Sequence, residues 1–485
     1  MPTQHYDIGI VGLGTMGANL AFNIAEHGYR VIGYNRHAER VEAFRKTAAE
    51  DPALAERTRA TTDLAEFAGA LRPPRTVLLM VPAGEPVDQM IEALRPHLGH
   101  QDIIIDGGNS HYTDTTRRLR ELSREENKCI HYLGMGISGG EEGARHGPSM
   151  MPGGSKAAWE ETAPILHAAA AKVDGEPCVT WLGRDGAGHY VKMVHNGIEY
   201  AVMELIAETY DLMARLLGLD DEALGRVYAQ WNETELRGFL MEISADIFDQ
   251  REPGDDRPLI DLILDVAHQK GTGAWTSQDA MDLEVAVPTI DAAVGMRALS
   301  VDRRRRGELS QRLPDPPPDK DATKGYDEQF IEHLRQALYT AMLLSYAQGL
   351  HLLRAADEHH GFGLKLEDVA RIWRGGCIIR ADLLEDLRAL YTAEPKRVHP
   401  LDDQDFAQRV ANGLPALREV VRRGSERGVP LPGLMSALAY LDAYRSAHLP
   451  ANLIQAQRDY FGAHGIERVD REGQFHGHWN RAASG

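Results

Sequence analysis

The sequence predicts a doubly wound α/β domain at the N-terminus, a large all-α domain after it, and an extended C-terminal tail. In the first third of the chain, short apolar runs alternate with stretches of helical spacing, which is typical of buried parallel strands joined by helices. From about residue 185, stretches rich in Ala, Leu, Met, Glu and Arg dominate, and beyond Tyr444 the chain is rich in Gly, His and aromatic residues. We therefore expect domains over residues 1–185 and 186–446 and a tail over 447–485.

The individual elements follow from the same patterns. Apolar runs predict strands at residues 8–11, 30–34, 76–81, 103–105 and 130–133. Helical spacing predicts helices at 19–27 and 87–94, and long helices at 200–217 and 329–355. The proline run at 315–319 predicts a loop.

Composition limits the function classes. The 485 residues suit two or three domains. A net charge of −19 argues against nucleic acid or an anionic membrane as a partner, and by itself also disfavours an anionic small substrate. The three cysteines form no CxxC motif, which excludes a disulfide scaffold and a structural zinc site. With no signal peptide and no apolar stretch of roughly 20 residues, we expect a cytoplasmic protein.

A glycine motif predicts a dinucleotide site. Residues 12–17, Gly-Leu-Gly-Thr-Met-Gly, fit G-x-G-x-x-G between a predicted strand and a predicted helix. Glycines there permit a tight turn, and the free N–H groups of the helix N-terminus bind a pyrophosphate. The second strand ends at Asn35-Arg36, where NAD enzymes usually carry a carboxylate. An amide beside a guanidinium accommodates a 2′-phosphate, so the sequence favours NADP over NAD.

Three further segments are candidates for the substrate site. Asp106-Gly107-Gly108-Asn109-Ser110 and the loop from Ser138 each follow a predicted strand, where they are either ligand-contacting loops or ordinary turns. Lys192, His195, Asn196 and Glu199 share one face of a helix. Their spacing fits a catalytic acid–base pair and a solvated, salt-bridged stripe equally well.

Taken together, these motifs resemble the decarboxylating 6-phosphogluconate dehydrogenases of the long-chain homodimeric type. The resemblance runs over essentially the whole chain, through GLGTMGANLA, DGGNS, GISGGEEGARHGPSMMPGG, GHYVKMVHNGIEY, QKGTGAWT and RDYFGAHGIER. It implies a Rossmann-type domain and the oxidation and decarboxylation of 6-phospho-D-gluconate to D-ribulose 5-phosphate and CO2, with reduction of NADP. In that scheme the reaction belongs to the pentose phosphate pathway and needs no metal.

The resemblance also implies residue roles. Lys192 would be the general base and Glu199 the general acid. Contacts to the cofactor would come from Gly12, Leu13, Gly14, Thr15, Met16, Gly17, Asn35, Arg36, His37, Val81, Pro82, Ala83 and Asn109. Contacts to the substrate would come from Asn109, Ser138, Gly139, Gly140, His195, Asn196, Tyr200, Lys270, Thr272, Arg297, Arg458 and His464. The last two would reach the partner subunit's site in a homodimer, and Lys270, Thr272 and Arg297 would hold the phosphate.

The chain departs from the family pattern at three positions. Pro82 stands where a lysine is usual, and His37 where Thr or Ser is common, so NAD stays a weaker or alternative cofactor. Ala274 stands where a second lysine is common, and we expect no ligand role there.

Two other interpretations are weaker. A shorter β-hydroxyacid dehydrogenase, such as a 3-hydroxyisobutyrate dehydrogenase, lacks the phosphate-binding residues in the tail. A redox-sensing dinucleotide binder has no need of both Lys192 and Glu199.

Overall fold

The computed structural model describes residues 5–124, 128–255, 257–313 and 328–479. The proline-rich loop predicted at 315–319 lies outside these residues. The chain divides into two compact units, residues 1–437 and 438–485. None of the described helices is both long and apolar enough to span a bilayer.

A seven-stranded sheet organises the N-terminal part of the first unit. Its strands are β1 (Ile8–Val11), β2 (Val31–Tyr34), β3 (Thr58–Thr61), β4 (Thr76–Leu79), β5 (Ile103–Asp106), β6 (His131–Ser138) and β7 (Ser149–Gly154). They are ordered β3-β2-β1-β4-β5-β6-β7. The first six are parallel, and β7 pairs antiparallel with β6. The six-strand order is that of a Rossmann-type domain, so the predicted fold class is confirmed.

All five predicted strands are present, and the sequence patterns missed β3 and β7. The β3 strand is a polar edge strand, Thr-Arg-Ala-Thr, without an apolar run. The β7 strand ends in Pro152-Gly153-Gly154, which reads as a turn in the sequence. Both strands are defined by their neighbours rather than by their own composition.

Helices cover both faces of the sheet. Alternate residues of β5 show why: Ile103 and Ile105 join one buried apolar cluster, whereas Ile104 joins another on the opposite face. The helices of this part are α1 (Thr15–Glu26), α2 (Ala38–Ala49), α3 (Pro52–Arg57), α4 (Leu64–Gly69), α5 (Glu85–Leu94), α6 (Tyr112–Ser123), α7 (Gly140–His146) and α8 (Lys156–Ala169). A short antiparallel pair, β8 (Lys172–Val173) and β9 (Glu176–Pro177), follows.

The rest of the first unit is helical. Its helices are α9 (Ala187–Leu212), α10 (Asp221–Trp231), α11 (Phe239–Asp249), α12 (Thr272–Asp282), α13 (Pro288–Val301), α14 (Arg303–Arg312), α15 (Glu328–His360), α16 (Leu366–Trp373), α17 (Leu383–Ala393), α18 (Gln404–Glu426) and the start of α19 (Pro432–Tyr444). A π-helical turn, Met213–Leu217, extends α9. The long helix α15 packs against both α9 and α18.

The second unit holds the end of α19, then α20 (Ala451–Gly462) and a hairpin of β10 (Ile466–Arg468) and β11 (Arg471–Phe475). This helix and hairpin had no counterpart among the elements predicted from the sequence. The exact division into residues 1–185, 186–446 and 447–485 stays a prediction.

Glycines bring α9 unusually close to the sheet. A Cβ on Gly188 would lie 2.2 Å from the carbonyl oxygen of Met151 and 2.3 Å from that of Gly134. One turn later, a Cβ on Gly136 of β6 would lie 2.3 Å from Cβ of Lys192. The N-terminal half of α9 therefore rests directly on the backbones of β6 and β7.

We predict that Gly188→Ala lowers the free energy of unfolding by about 3 kcal/mol, because its methyl group must displace two backbone carbonyls. Thermal unfolding of purified protein measures the change. The matched control is Gly69→Ala at the exposed end of α4, where an added Cβ meets no atom within 4 Å. A Gly188→Ala protein as stable as this control would contradict the proposed close contact.

Candidate active site

The glycine turn between β1 and α1 is shaped for a bound phosphate. Gly12 has φ of +99°, and a Cβ on it would lie 2.4 Å from the carbonyl oxygen of Met80. A Cβ on Gly17 would lie 1.9 Å from the carbonyl oxygen of Gly12. Gly14 precedes α1, faces open space, and leaves the helix without a side-chain cap. The first N–H groups of α1 are thus accessible, which fits the pyrophosphate of a dinucleotide.

The other predicted residues of this turn differ in their exposure. Thr15 is exposed and Met16 is partly exposed in the first turn of α1. The side chain of Leu13 is 3% exposed and packs into the core of the sheet. Only the backbone of Leu13 is therefore available to a ligand.

The end of β2 lies beside this turn, because the amide of Gly12 donates to the carbonyl of Tyr34 at 2.8 Å. Asn35 accepts a hydrogen bond from the His37 amide at 3.0 Å, and Arg36 Nε donates to Nε2 of His37 at 2.9 Å. Arg36 and His37 are both exposed. Among the described residues Arg36 has no carboxylate partner within ion-pair distance, so its guanidinium fits a 2′-phosphate.

The loops after β4 and β5 adjoin each other. The amide of Gly107 donates to the carbonyl of Leu79 at 2.9 Å, and a Cβ on Gly108 would lie 3.1 Å from the carbonyl oxygen of Val81. Asn109 is exposed at the tip of its loop. The neighbouring candidates of the β4 loop, Pro82 and Ala83, are exposed and partly exposed, respectively.

A buried carboxylate fixes the Asn109 loop. Asp106 accepts hydrogen bonds from the Gly108 amide at 3.1 Å, from Ser110 Oγ at 2.6 Å and from the Tyr132 hydroxyl at 2.9 Å. Arg118, whose side chain is 1% exposed, lies 3.4 Å from the same carboxylate. Arg118 is not among the residues predicted from the sequence, because nothing in the sequence pairs α6 with this loop.

The predicted polar face of α9 is buried rather than solvated. Lys192 Nζ lies 3.4 Å from Nδ1 of His195, and that nitrogen lies 3.6 Å from a carboxylate oxygen of Glu199. Asn196 Oδ1 is 3.1 Å from the same ring nitrogen. Lys192 is 6% exposed and His195 is fully buried. This burial does not fit the solvated, salt-bridged stripe, and the catalytic pair stays a prediction.

Burial shifts the protonation of this cluster in two directions. It lowers the pKa of Lys192 below its ordinary value and raises the pKa of Glu199. It also holds the pKa of His195 well below its ordinary value, so the imidazole between them is neutral. A neutral amine and a protonated carboxyl group are the forms that a general base and a general acid require.

The loop from Ser138 adjoins the cluster. Ser138 Oγ lies 3.3 Å from Nε2 of His195, and it accepts a hydrogen bond from the amide of Ile378 at 3.5 Å. Gly139 has φ of +115°, and a Cβ on it would lie 2.6 Å from the carbonyl oxygen of Gly376. Gly140, with φ of +63°, begins α7 and faces open space. The supporting segment at 375–378 was not predicted from the sequence, in which the pair Gly375-Gly376 is the available signal.

The start of α12 supplies the predicted phosphate residues. Thr272 is buried, and its Oγ1 accepts from Asn196 Nδ2 at 2.9 Å. Lys270 precedes it on an exposed segment. The first turn of α12 has no acidic residue, which fits an anion at its N-terminus.

Arg297 of α13 contacts Tyr200, a residue of α9. Its guanidinium carbon lies 3.8 Å from the centre of the Tyr200 ring. Arg297 is 9% exposed, and its Nε has no hydrogen-bond partner among the described residues. A buried, unsatisfied donor is costly without an anionic ligand.

The two tail candidates belong to the second unit. Arg458 is exposed and donates to Gln455 at 3.0 Å, and the exposed His464 lies 6.0 Å from the ring centre of Phe461. Between them, buried Asp459 accepts from the amides of Gly465 and Gly477 and from the His476 and Trp479 rings. These hydrogen bonds hold the pKa of Asp459 below its ordinary value, and the one from the Gly477 amide has the largest effect. Asp459 therefore organises the segment that presents Arg458, a role that its sequence did not reveal.

Comparison with known proteins identifies the family. The family model of the C-terminal domain of 6-phosphogluconate dehydrogenase matches residues 188–479, and that of its NAD binding domain matches residues 7–183. An NADP(+)-dependent, decarboxylating 6-phosphogluconate dehydrogenase of Bacillus subtilis is 49% identical over 97% of this chain and 98% of its own length. A decarboxylating 6-phosphogluconate dehydrogenase of Synechococcus elongatus is 48% identical over the same shares.

A solved structure extends the comparison. Plasmodium falciparum 6-phosphogluconate dehydrogenase, studied in its apo form and in complex with its cofactor NADP+ and its substrate 6-phosphogluconate, has a TM-score of 0.92 and 40% sequence identity. The match covers 98% of this chain and all of that one. The chain belongs to the 6-phosphogluconate dehydrogenase family.

Proposed function

We propose that this chain oxidises and decarboxylates 6-phospho-D-gluconate to D-ribulose 5-phosphate and CO2, with NADP as the oxidant. The observation that carries the proposal is the buried cluster on α9, in which Lys192 and Glu199 both lie near Nδ1 of neutral His195, at 3.4 Å and 3.6 Å. Burial favours the neutral amine at one end and the protonated carboxyl group at the other. The full-length similarity to decarboxylating enzymes supports the same reaction.

The residues of this cluster act in sequence on the substrate. Lys192 removes the proton of the C3 hydroxyl as C3 loses its hydride. The resulting ammonium then polarises the C3 ketone, so that the carboxylate at C1 leaves as CO2. Glu199 delivers a proton to the former C2 of the substrate, which is C1 of the five-carbon enediol, and thereby completes the product.

NADP, when bound, supplies the hydride acceptor. The turn at Gly12, Gly14 and Gly17 holds its pyrophosphate, and Arg36 with Asn35 holds the 2′-phosphate. Contacts from Val81, Ala83 and Asn109 complete this side of the site. Pro82 and His37 leave NAD as a weaker alternative, because neither provides the contact that is usual in the family.

The substrate's phosphate binds at the start of α12, between Lys270, Thr272 and Arg297. The unsatisfied Nε of Arg297 supports this assignment. Ser138, Gly139, Gly140, His195, Asn196 and Tyr200 line the sugar acid.

We further propose a cytoplasmic homodimer with shared sites, in which Arg458 and His464 complete the partner's phosphate site. The second unit exposes large apolar side chains, among them Phe461 at 71%, Leu453 at 62% and Ile454 at 60%. Exposed apolar surface on this scale is typical of a protein interface. Three free cysteines fit a reducing compartment.

Mixing the protein with 6-phosphogluconate and either NADP or NAD tests the reaction. We expect the absorbance of the reduced cofactor to rise with NADP, with one CO2 released for each cofactor reduced, and to rise more slowly with NAD. Reduction without CO2 would identify a simple hydroxyacid dehydrogenase instead, and no reduction with either cofactor would overturn the proposal.

Lys192→Met should abolish turnover while it stabilises the protein. Removal of the general base costs on the order of 1,000-fold in kcat. The folded protein lowers the pKa of this amine from its ordinary 10.5, so burial of the charged form costs stability below the lowered pKa. That cost falls as the pH rises from the lowered pKa and disappears above 10.5, where the amine is neutral in both the folded and the unfolded state.

We therefore expect Lys192→Met to raise the free energy of unfolding by about 1 kcal/mol at neutral pH, and by less in alkaline buffer. Thermal unfolding across pH and steady-state kinetics measure both effects, and binding of NADPH should persist. Lys46→Met, at an exposed lysine of α2, is the matched control and should change neither property. Near-normal turnover of Lys192→Met would contradict the assignment of the base.

Hybrid dimers test the shared site. In a hybrid dimer of one Lys192→Met subunit and one Arg458→Ala subunit, both substitutions fall in the same site if Arg458 serves the partner, and the other site is intact. Random mixing of the two inactive variants should then restore about a quarter of the wild-type sites, since half the dimers are hybrids with one intact site. No recovery of 6-phosphogluconate turnover after co-refolding or co-expression would place Arg458 in its own subunit's site.

A further inference from the structure

A buried carboxylate outside the reacting cluster joins three elements of the site. Asp279, in the third turn of α12, is 8% exposed. It accepts a hydrogen bond from the hydroxyl of Tyr112 at 2.6 Å, and its other oxygen accepts one from the hydroxyl of Tyr190. Burial raises the pKa of both tyrosines, so both remain donors. None of the motifs in the sequence singled out Asp279.

The first consequence is a fixed register between α12 and α9. Asn196 Nδ2 donates to Thr272 at 2.9 Å, and Thr276 Oγ1 donates to the carbonyl of Met193 at 2.8 Å. Tyr190 and Asp279 form the third contact. From one contact to the next, the partner on α9 lies one turn closer to the N-terminus of that helix, and the partner on α12 lies one turn closer to its C-terminus. The three polar contacts therefore form an antiparallel series on one face.

The packing beside these contacts leaves little room for sliding. A Cβ on Gly197 would lie 2.7 Å from Cγ2 of Thr276. The two helices therefore approach closely at the level of His195 and Asn196. Because the phosphate residues start α12 and Lys192 lies on α9, this register sets the distance between them.

The second consequence is a link to the dinucleotide-binding part. Tyr112 is the first residue of α6, three residues after Asn109. Its ring stands edge-on to the ring of Tyr190, with centres 4.9 Å apart. Trp275 of α12 contacts the ring of His111 in the same way, also at 4.9 Å. Asp279 thus joins the element after the cofactor loop to both substrate-binding helices.

We propose that Asp279 is a positioning residue that, through Tyr190 and Tyr112, places a substrate anchored by its phosphate so that C3 meets Lys192. This inference rests on the proposed function. The phosphate then contributes to the rate through the position of α12. Its binding at the start of α12 accelerates the reaction only while α12 keeps its register against α9. A substrate without a phosphate gains nothing from that register.

The test compares 6-phosphogluconate with D-gluconate, which lacks the phosphate, on wild type, Asp279→Ala, Asp279→Asn and Tyr190→Phe. Asp279→Ala should lower kcat for 6-phosphogluconate by about 10- to 100-fold, because a misplacement of roughly 1 Å costs that much, while KM changes less than threefold. Its kcat/KM for gluconate should change less than threefold. Asp279→Asn, which keeps an acceptor oxygen, should recover part of kcat.

Tyr190→Phe removes one hydroxyl and should shift the ratio of activity on 6-phosphogluconate to activity on gluconate in the same direction as Asp279→Ala. It decides the matter if Asp279→Ala does not fold. The matched control is Asp282→Asn, an exposed carboxylate at the end of the same helix, which should behave as wild type.

Three results would overturn the inference: an equal loss on both substrates, which indicates general damage to the site; an unchanged kcat; or a rise in KM alone, which indicates a role in binding only. An active wild type with any of these results refutes the positioning role and leaves the proposed function intact. A wild type that releases no CO2 from 6-phosphogluconate refutes both.

Discussion

The close approach of α9 to the sheet is the constraint on which the rest of the site depends. Gly134 and Gly136 of β6, with Gly188 of α9, remove the side chains that would normally separate a helix from a strand by several ångströms. Since interiors are packed as densely as organic crystals, a helix seated this deeply excludes water from the side chains on that face. Lys192 is therefore buried because the backbone of α9 rests directly on the backbones of β6 and β7.

That burial favours the protonation states that the proposed reaction needs, and it also costs stability. An amine and a carboxyl group removed from water both favour their neutral forms, which lowers the pKa of Lys192 and raises that of Glu199. Both groups lie near the same ring nitrogen of neutral His195, and the described residues contain no ion pair between them. In the proposed reaction, the same burial that lowers stability prepares the two groups for proton transfer, a relation between stability and activity that is common at enzyme sites.

The acidic composition of the chain says little about this site. With a net charge of −19, the molecule as a whole repels anions at long range. Yet Arg36, Lys270 and Arg297 are predicted to surround the two candidate ligand sites, and Arg297 has a buried donor that no group in the described part of the chain satisfies. Local geometry outweighs net charge because screening confines surface fields to about 10 Å.

The sequence by itself determined the Rossmann-type fold, the glycine turn and the polar face of α9, because each depends on a local pattern of one or two helical turns. It also identified the family, since the motifs run the length of the chain. It did not determine whether Lys192 and Glu199 are buried or solvated, nor did it reveal β7, Arg118, Gly376, Asp459 or Asp279. Those depend on partners up to more than two hundred residues away, as when Ser138 meets Ile378. Only the tertiary structure decided them, because burial and hydrogen bonding are properties of the surroundings that a side chain acquires on folding.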